Sequence, residues 1–346
     1  MTVSTLDVDR SISTLRLNSQ EFANLTNEEL SAMFLTSIEN IKTIAYFWAT
    51  IGADNKGIKG STAEGEEWLG GPFASTIALQ YYIDYLKNDI DFINEKSISE
   101  NKINVFPNKN IEKLLFPYVT ADVHFNKNMS IEDILNARGF GNRLGFKKGI
   151  TLILGAGNVS SIPLLDTIYD MVVNRHCILL KLNPVNEYLK PVFEKVFENF
   201  ISRGFMIVTT GDTEISSYMT NHLGITNMHL TGSDKTYEKI VYGSVLTEKD
   251  KGKKTLTKKN KKPFTTELGN VTPFIIHPGN WSSGEIKYQA RKIVTAKLNN
   301  NGFNCIAAQV IVVPKGWKHS EKLVDAIKQQ LSNENDRLAY YPDSLN

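Results

Sequence analysis

Cysteine, histidine and net charge are all sparse in this chain. Its 346 residues include two cysteines and six histidines, and the formal net charge is +2. Cys177 and Cys305 lie far apart with no Cys-x-x-Cys, which favours a reducing compartment, and we expect a cytoplasmic protein. The histidines have no metal-ligand spacing, so we expect no metal site. The small net charge gives no reason to expect nucleic acid as a partner.

Long apolar runs are missing as well. No stretch approaches the roughly 18 consecutive apolar residues that a membrane-spanning helix needs, so we expect no membrane partner. The first residues lack the basic and apolar regions of a secretory signal. Hydrophobic content of 41% and charged content of 22% are typical of a globular protein, and the length leaves room for two domains.

The fold class is indicated by residues 147 to 230. Apolar strand patterns at 150–154, 176–182, 206–210 and 227–230 alternate with helical periodicity and short loops. This alternation predicts an α/β protein with an open parallel sheet and helices on both faces, a Rossmann-like cofactor domain. Right-handed crossovers put the loops that follow the strands at one edge, where ligands bind in such sheets.

The first 145 residues are less informative. Residues 1 to about 24 are polar and are predicted to fray or to lie across the surface. A capping box at Thr26–Glu29 predicts a helix that ends near Gly52. A glycine-rich loop follows, and a second helix is expected from Pro72 to about Lys87. The remaining predictions here are an apolar face of Phe73, Ile77, Tyr81 and Tyr85 on that second helix, and a further helix from Ser130 to Ala137.

Two later stretches carry the candidate chemistry. Residues 265–276 contain Glu267 before a Leu-Gly turn, and residues 300–307 contain Cys305 after a glycine. A thiolate is a strong nucleophile, and a nearby carboxylate can deprotonate water. In isolation, Cys305 is equally well interpreted as a buried small residue, and Glu267 as a surface charge at a turn.

Together these stretches resemble the active-site pair of the aldehyde dehydrogenase superfamily. The first matches an E-L-G-G-x-x-P pattern except that Asn270 replaces the second glycine, and the second matches G-Q-x-C-x-A except for Phe303. The resemblance implies that Cys305 attacks an aldehyde and forms a thiohemiacetal and then a thioester, which Glu267 helps water to hydrolyse. It also implies that Asn158 holds the oxyanion together with the Cys305 backbone N–H. From its position alone, Asn158 could instead simply tolerate a left-handed turn.

The same resemblance implies a site for NAD or NADP. Lys181 would bind the adenosine ribose, Gly232 would let the nicotinamide approach the backbone, and Ser233 would bind the pyrophosphate. Ser233 could equally be an ordinary helix N-cap. Gly157 and Leu268 complete the candidate cofactor-binding residues. On its own the Gly155-x-Gly157 motif is weak, since Ser160 occupies the third glycine position, and Pro184 at the usual ribose-binding glutamate leaves the choice between NAD and NADP open.

We therefore expect residues 1–266 to form N-terminal helices and a dinucleotide-binding domain, and residues 267–346 to form a partial catalytic domain. The resemblance covers residues 146–330, and the family's later E-x-F-G-P motif is not found, so the chain resembles a truncated member. We expect poor solubility, with Ile311 and Val313 among uncovered apolar positions. The lysine-rich run at 249–262 is expected to be a solvated insertion.

The function implied is oxidation of a small-molecule aldehyde to a carboxylic acid with NAD(P)+, in a protein that forms a homo-oligomer when full length. Two alternatives remain open at this point. One is an acyl-CoA reductase or CoA-acylating aldehyde dehydrogenase, which would share Cys305 but use CoA as the acyl acceptor. The other is a non-catalytic fragment that only binds the cofactor.

Overall fold

A computed structural model describes residues 3–87, 98–99, 101–107, 109–126, 128–130, 132–133, 147–252, 256–342 and 344. Its α-helices are α1 (Thr5–Ala23), α2 (Asn27–Asn55), α3 (Gly65–Trp68), α4 (Ala74–Leu86), α5 (Asn110–Leu115), α6 (Ile162–Val173), α7 (Lys190–Val196), α8 (Glu198–Ser202), α9 (Thr213–Asn221), α10 (Asp234–Tyr242), α11 (Glu248–Lys251), α12 (Ser283–Leu298) and α13 (Ser320–Ser332). Its strands are β1 (Ile98–Ser99), β2 (Lys102–Phe106), β3 (Ala121–His124), β4 (Ile150–Leu154), β5 (Cys177–Lys181), β6 (Met206–Thr209), β7 (Asn227–Gly232), β8 (Phe264–Leu268), β9 (Thr272–Ile275) and β10 (Ala308–Val312).

A five-stranded parallel sheet forms the centre of the molecule, with strand order β6-β5-β4-β7-β8. Every residue of β4 and β5 is buried, because helices cover both faces of the sheet. The predicted α/β fold class is confirmed. The direction in which successive strands are added reverses between β4 and β7, and this reversal creates a crevice at the carboxyl ends of the strands.

The sheet extends into the candidate catalytic stretch. Strand β8, which contains Glu267 and Leu268, pairs with β7 along its whole length. The sheet therefore runs two residues beyond the predicted domain boundary at 266/267, and the division into two domains stays a prediction.

The prediction of a frayed N-terminus is wrong. Helix α1 begins with a capping box at Ser4 and buries Val8, Ile12, Leu15 and Phe22. It packs against β4, β5 and β6. These four side chains form a narrow apolar stripe, and the other residues of the helix are mostly polar. Because the segment is polar overall, its regular helical period was not recognised in the sequence.

The predicted helix at Thr26 is confirmed as α2, with the capping box between Thr26 and Glu29. Part of the predicted glycine-rich loop is helical, since α3 and a π-helical turn at Leu69–Phe73 lead directly into α4. Of the helix predicted from Ser130 to Ala137, only residues 132–133 are described as helical; residues 131 and 134–137 lie outside the described residues.

The predicted face of α4 is wrong. Phe73, Ile77 and Tyr81 are exposed, whereas Leu79, Ile83 and Leu86 are buried. Helix α4 packs against α2 and α6, and the compact aliphatic stripe fits between these helices. Phe73, Ile77 and Tyr81 share the same 3.6-residue period but lie away from this stripe, whereas Tyr85 is partly buried and packs against the core.

A second, smaller unit follows β8. The parallel pair β9 and β10 packs against α12 and α13 around buried Ile286, Ile293 and Leu323. Ile311 and Val313 pack against this core, so the prediction that they are uncovered is wrong. Successive side chains of a strand point to opposite faces. The exposed apolar residues of this sheet are therefore on the other face: Val310 and Val312 in β10, and Ile275 in β9.

The lysine-rich insertion is only partly solvated. Lys249 and Lys258 are exposed. The ammonium of Lys262, in contrast, donates to the carbonyl oxygens of Thr220 and His222 at 2.7 and 2.8 Å. The end of the insertion is therefore fixed to the carboxyl end of α9.

Candidate active site

All eight predicted site residues line one cleft of about 1140 Å³. The cleft lies at the carboxyl edge of the five-stranded sheet and extends to the loop that follows α12. The residues that it brings together are Gly157, Asn158, Lys181, Gly232, Ser233, Glu267, Leu268 and Cys305. They come from five separate places in the chain, and the topology of the sheet gathers them; their individual roles stay predictions.

Cys305 follows a tight loop with an unusual backbone. Asn300, Asn301 and Gly302 have φ values of 51°, 54° and 77°, in the left-handed region that asparagine and glycine tolerate best. The Cys305 side chain is partly buried, with Sγ 3.9 Å from the Asn304 side-chain oxygen. The Cys305 carbonyl oxygen accepts a hydrogen bond of 2.9 Å from the Thr272 hydroxyl, which ties the loop to β9.

The other cysteine has a different environment. Cys177 is fully buried in β5, and burial raises the pKa of its thiol to about 12. A thiol must lose its proton to act as a nucleophile, so Cys177 is unreactive near neutral pH. Cys305 is therefore the cysteine that can take part in chemistry.

Glu267 extends its side chain from β8 into the cleft. The side chain is exposed, and its strand neighbour in β7 is Thr231. Its carboxylate makes no hydrogen bond or ion pair with any residue that the structure describes. A carboxylate in this setting is free to accept a proton from water inside the cleft.

Asn158 makes contacts through both its side chain and its backbone. Its amide nitrogen donates a hydrogen bond of 3.0 Å to the carbonyl oxygen of Phe303, two residues before Cys305. Its own carbonyl oxygen accepts from the Lys56 ammonium at 2.9 Å and from the Asn300 amide at 2.8 Å. Since an amide NH₂ carries two hydrogens, the second has no partner among the described residues.

Lys181 ends β5 at the floor of the cleft. It is 6% exposed, and its ammonium has no hydrogen bond or ion pair among the described residues. Burial lowers the pKa of Lys181, and the nearby carboxylates of Glu187 and Asp212 oppose that shift. A buried ammonium without a partner is costly, so this position favours a ligand that supplies oxygen atoms.

Gly232 is the last residue of β7, and Ser233 follows it at the start of α10. The Ser233 hydroxyl accepts a hydrogen bond of 3.1 Å from the backbone N–H of Lys235, so the N-cap interpretation is correct. It does not exclude a cofactor role, because the N-terminus of α10 borders the cleft and helix N-termini attract anions. Leu268 is partly buried beside them, at the end of β8.

Gly157 is a place of close approach. A Cβ atom at this position would lie 2.5 Å from the Tyr341 hydroxyl and 2.8 Å from Cγ of Asn183. Glycine keeps this part of the cleft open where the β4 turn meets the residues after β5. Any larger residue would move Tyr341, which lines the same cleft.

Several polar residues behind the cleft were missed by the sequence analysis. Lys56 and Glu67 form a buried ion pair of 2.6 Å. Arg337 donates two hydrogen bonds of 3.0 Å to the carboxylate of Glu66, and Tyr340 donates one of 2.9 Å to Asn300. For Lys56, Glu66 and Glu67 the available signal was a group of charged residues within a glycine-rich stretch, and such a stretch is more often a solvated loop.

In the described part of the chain, no group of three or more His, Cys, Asp or Glu side chains is arranged to hold a metal ion. No described helix combines the length and the apolar composition that crossing a membrane would need.

Parts of the sequence are similar to known aldehyde dehydrogenases. Residues 176–337 match the aldehyde dehydrogenase family. A stretch of 121 residues is 27% identical to the D-glyceraldehyde dehydrogenase (NADP(+)) of Picrophilus torridus, covering 35% of this chain and 21% of that protein.

Solved structures show the same fold. Aldehyde dehydrogenase C of Pseudomonas syringae, a mutant in complex with NAD+ and octanal, has a TM-score of 0.64 at 13% identity, over 96% of this chain and 55% of that one. Aldehyde dehydrogenase of Bartonella henselae has a TM-score of 0.60 at 14% identity, over 96% and 57%. The chain thus spans little more than half the length of these structures, and at such identities the likeness concerns the fold.

Proposed function

Since residues 176–337 match the aldehyde dehydrogenase family and the described chain has the fold of its solved members, we propose that this protein oxidises an aldehyde to a carboxylic acid with NAD or NADP. The observation that carries the proposal is the convergence of Cys305, Glu267 and Lys181 on one cleft. A nucleophile, a base and a cation for the cofactor are the groups that this reaction needs.

Cys305 starts the reaction. Its thiolate adds to the aldehyde carbonyl carbon, a C–S bond forms, and the carbonyl electron pair moves to oxygen. The second amide hydrogen of Asn158 and the backbone N–H of Cys305 stabilise that oxyanion. The amide is already fixed by its hydrogen bond to the Phe303 carbonyl, so it needs no reorientation when the charge develops.

NAD(P)+ supplies the two-electron acceptor when it is bound. The cleft suits such a ligand: Lys181 offers a buried ammonium without a protein partner, α10 offers its N-terminus, and Gly157 leaves space for close approach. We propose that Lys181 binds a ribose and that Ser233, with Gly232, binds the pyrophosphate. Leu268 contributes an apolar wall.

Glu267 completes the cycle. Loss of a hydride from the thiohemiacetal leaves a thioester on Cys305. Glu267 takes a proton from water, the hydroxide attacks the thioester carbon, and the C–S bond breaks to release the acid and the thiolate. The exposed carboxylate, free of protein partners among the described residues, supports water rather than CoA as the acyl acceptor.

The direct test is to trap the covalent intermediate. The chain is mixed with NAD+ or NADP+ and a panel of aldehydes, quenched with acid and digested, and the peptide that contains Cys305 is weighed by mass spectrometry. We expect the mass of an acyl group on that peptide, only with cofactor present, and none in Cys305→Ala. Formation of a burst of NAD(P)H by Glu267→Gln, in which hydrolysis is slowed, without any acylated peptide would refute the thioester mechanism.

We also propose that the full-length protein forms a homo-oligomer in the cytoplasm. Leu114, Tyr118 and Val119 are exposed apolar residues close together in the chain near β3, and such patches often mark contacts between subunits. Light scattering coupled to size exclusion would give the mass in solution, and a monomeric mass would contradict this.

A further inference from the structure

The turn that carries Asn158 and the loop that carries Cys305 are joined by one buried lysine. The ammonium of Lys56, at the end of α2, donates to Oε1 of Glu67 at 2.6 Å, to the carbonyl oxygen of Asn158 at 2.9 Å and to Oδ1 of Asn300 at 2.9 Å. An ammonium has three N–H donors, and here all three are used. Two of the three acceptors belong to the two halves of the candidate active site.

This ion pair is not explained by stability alone. The side chains of Lys56 and Glu67 are 5% and 4% exposed, so both charges have lost nearly all their water. The free energy needed to remove two charges from water is about as large as the free energy gained from their attraction. A buried ion pair therefore adds little net stability to the fold. A role in fixing geometry is the better account of this arrangement.

The loop around Asn300 needs external support. Asn300 and Asn301 both have left-handed backbone conformations, which asparagine tolerates better than most residues but which still cost free energy in any residue other than glycine. Asn300 is held by five hydrogen bonds: those from Lys56 and Tyr340 to its oxygen, one from its amide to the Asn158 carbonyl, and one from its backbone N–H to Glu66. The fifth links the Phe303 backbone N–H to the Asn300 carbonyl. These contacts hold the loop in the form that places Cys305 at the cleft.

Helix α2 and the π-helical turn at Leu69–Phe73 also contact the residues that follow Asn158. The indole N–H of Trp48 donates to the Ser160 hydroxyl at 3.0 Å, and the backbone N–H of Ser161 donates to the Gly70 carbonyl at 2.9 Å. Lys56 is therefore the point at which this N-terminal support reaches across to the Cys305 loop.

We propose that Lys56 is a positioning residue, which fixes Asn158 relative to Cys305 by binding the Asn158 carbonyl and the Asn300 side chain at the same time. Its effect on turnover rests on the proposed aldehyde oxidation. Its effect on the Cys305 loop does not.

The first experiment removes the ammonium and keeps most of the side-chain volume, with Lys56→Met. We expect kcat for aldehyde oxidation to fall about 10- to 100-fold, as a misplacement of roughly 1 Å can do, while KM for NAD(P)+ stays unchanged. Lys59→Met is the matched control, since Lys59 lies three residues later in the loop after α2, with an exposed side chain and a surface contact to Asp54. Lys56→Arg, which retains the charge, should lose less than Lys56→Met.

A second variant separates positioning from folding. Lys56→Met combined with Glu67→Met removes both charges, which restores the melting temperature if the single variant suffers from an unpaired carboxylate. We expect turnover to stay low in this double variant, because the Asn158 carbonyl and Asn300 still lack their donor. Recovery of kcat together with the melting temperature would show that Lys56 acts only on stability and would overturn the proposal.

A third measurement does not depend on the proposed reaction. Iodoacetamide labelling of Cys305 is followed by mass spectrometry of its peptide, and we expect several-fold faster labelling in the stable double variant because the loop opens more often. If the wild type oxidises no aldehyde but labelling accelerates, the proposed function fails and the positioning role stands. Unchanged labelling in both Lys56 variants would refute the positioning role.

Discussion

The side-chain amide of Asn158 donates a hydrogen bond of 3.0 Å to the carbonyl oxygen of Phe303, 145 residues later in the chain. Asn158 follows β4 in the centre of the five-stranded sheet, whereas Phe303 belongs to the loop between α12 and β10. One contact thus fixes the loop of Cys305 to the edge of the sheet where we place the cofactor. The proposed nucleophile and the proposed cofactor site are built on different sheets but share this support.

The first prediction concerns the two cysteines. Cys305→Ser should abolish aldehyde oxidation, by at least about 10³-fold, because a hydroxyl without a dedicated base is a far weaker nucleophile. Cofactor affinity, measured by fluorescence titration with NAD(P)H, should not change. Cys177→Ser is the control: its buried thiol has a pKa of about 12 and should contribute to folding alone. Turnover that survives in Cys305→Ser would rule out the thioester.

The second prediction separates water from CoA as the acyl acceptor. In Glu267→Gln the first turnover should proceed and then stall at the thioester, because a general base is worth about 10²–10⁴ in rate. Stopped-flow absorbance would show one burst of NAD(P)H for each enzyme, followed by a slow steady state. Added CoA is the diagnostic arm: if it restores rapid turnover, the acylating alternative is correct.

The third prediction concerns Lys181. Lys181→Met should weaken NAD(P) binding by about 1–3 kcal/mol, the value of a charge-assisted hydrogen bond. Lys190→Met is the control, since Lys190 lies on α7 with an exposed side chain that contacts Glu194. Calorimetric titration of both variants checks this, and equal affinity in Lys181→Met and Lys190→Met would place the cofactor elsewhere.

The pH dependence of the same site has a definite sign. Burial lowers the pKa of Lys181 below its ordinary 10.5, and only the protonated form can donate all its hydrogens to a ligand. Affinity for NAD(P) should therefore fall as pH rises through the Lys181 pKa, which lies below 10.5. Loss of that proton removes an unfavourable buried charge and therefore stabilises the folded protein. Weaker NAD(P) binding at high pH therefore cannot result from an effect of Lys181 on the stability of the fold. Lys181→Met should lack this alkaline decrease.

The sheet and the composition of the cleft could be predicted from the sequence because their signals are local. A fully buried strand such as β4 is a continuous apolar run, and the turns after such strands must meet at one edge. Cys305 and Glu267 could be selected by their immediate neighbours. The residues that hold the Cys305 loop could not, since Lys56, Glu67 and Tyr340 act through contacts between distant parts of the chain and have no local pattern.

The errors about which face is buried have a common physical cause. In α4 the sequence offers more than one helical stripe, and only packing decides which stripe is buried. Leu79 and Ile83 of α4 face α2 and α6, while the aromatic Tyr81 faces away. β10 has apolar residues on both faces, and a period of two leaves the choice of the buried face to the helices that cover it.

The fourth prediction tests the structural role of α1. Leu15 is 0% exposed and Leu17, two residues later on the same helix, is 84% exposed. Leu15→Ala should lower the free energy of unfolding by about 2–5 kcal/mol, and Leu17→Ala should change it by less than about 0.5 kcal/mol. Urea unfolding followed by circular dichroism would measure both. Equal, small effects would mean that α1 does not pack against the sheet.

The fifth prediction concerns the exposed face of the small sheet. Val310 and Val312 project from β10 on the side away from α12 and α13, next to exposed Ile275 of β9, so the three form an apolar patch. Val310→Thr with Val312→Thr should reduce binding of a hydrophobic dye and light scattering, since threonine keeps the strand propensity but adds a hydroxyl. Ile311→Thr is the matched control: its side chain packs against the core of the small unit, and a hydroxyl without a partner there should cost about 1–3 kcal/mol of stability. If the double variant binds as much dye as the wild type, the exposed apolar surface lies elsewhere; if Ile311→Thr is neutral, the assignment of the two faces is wrong.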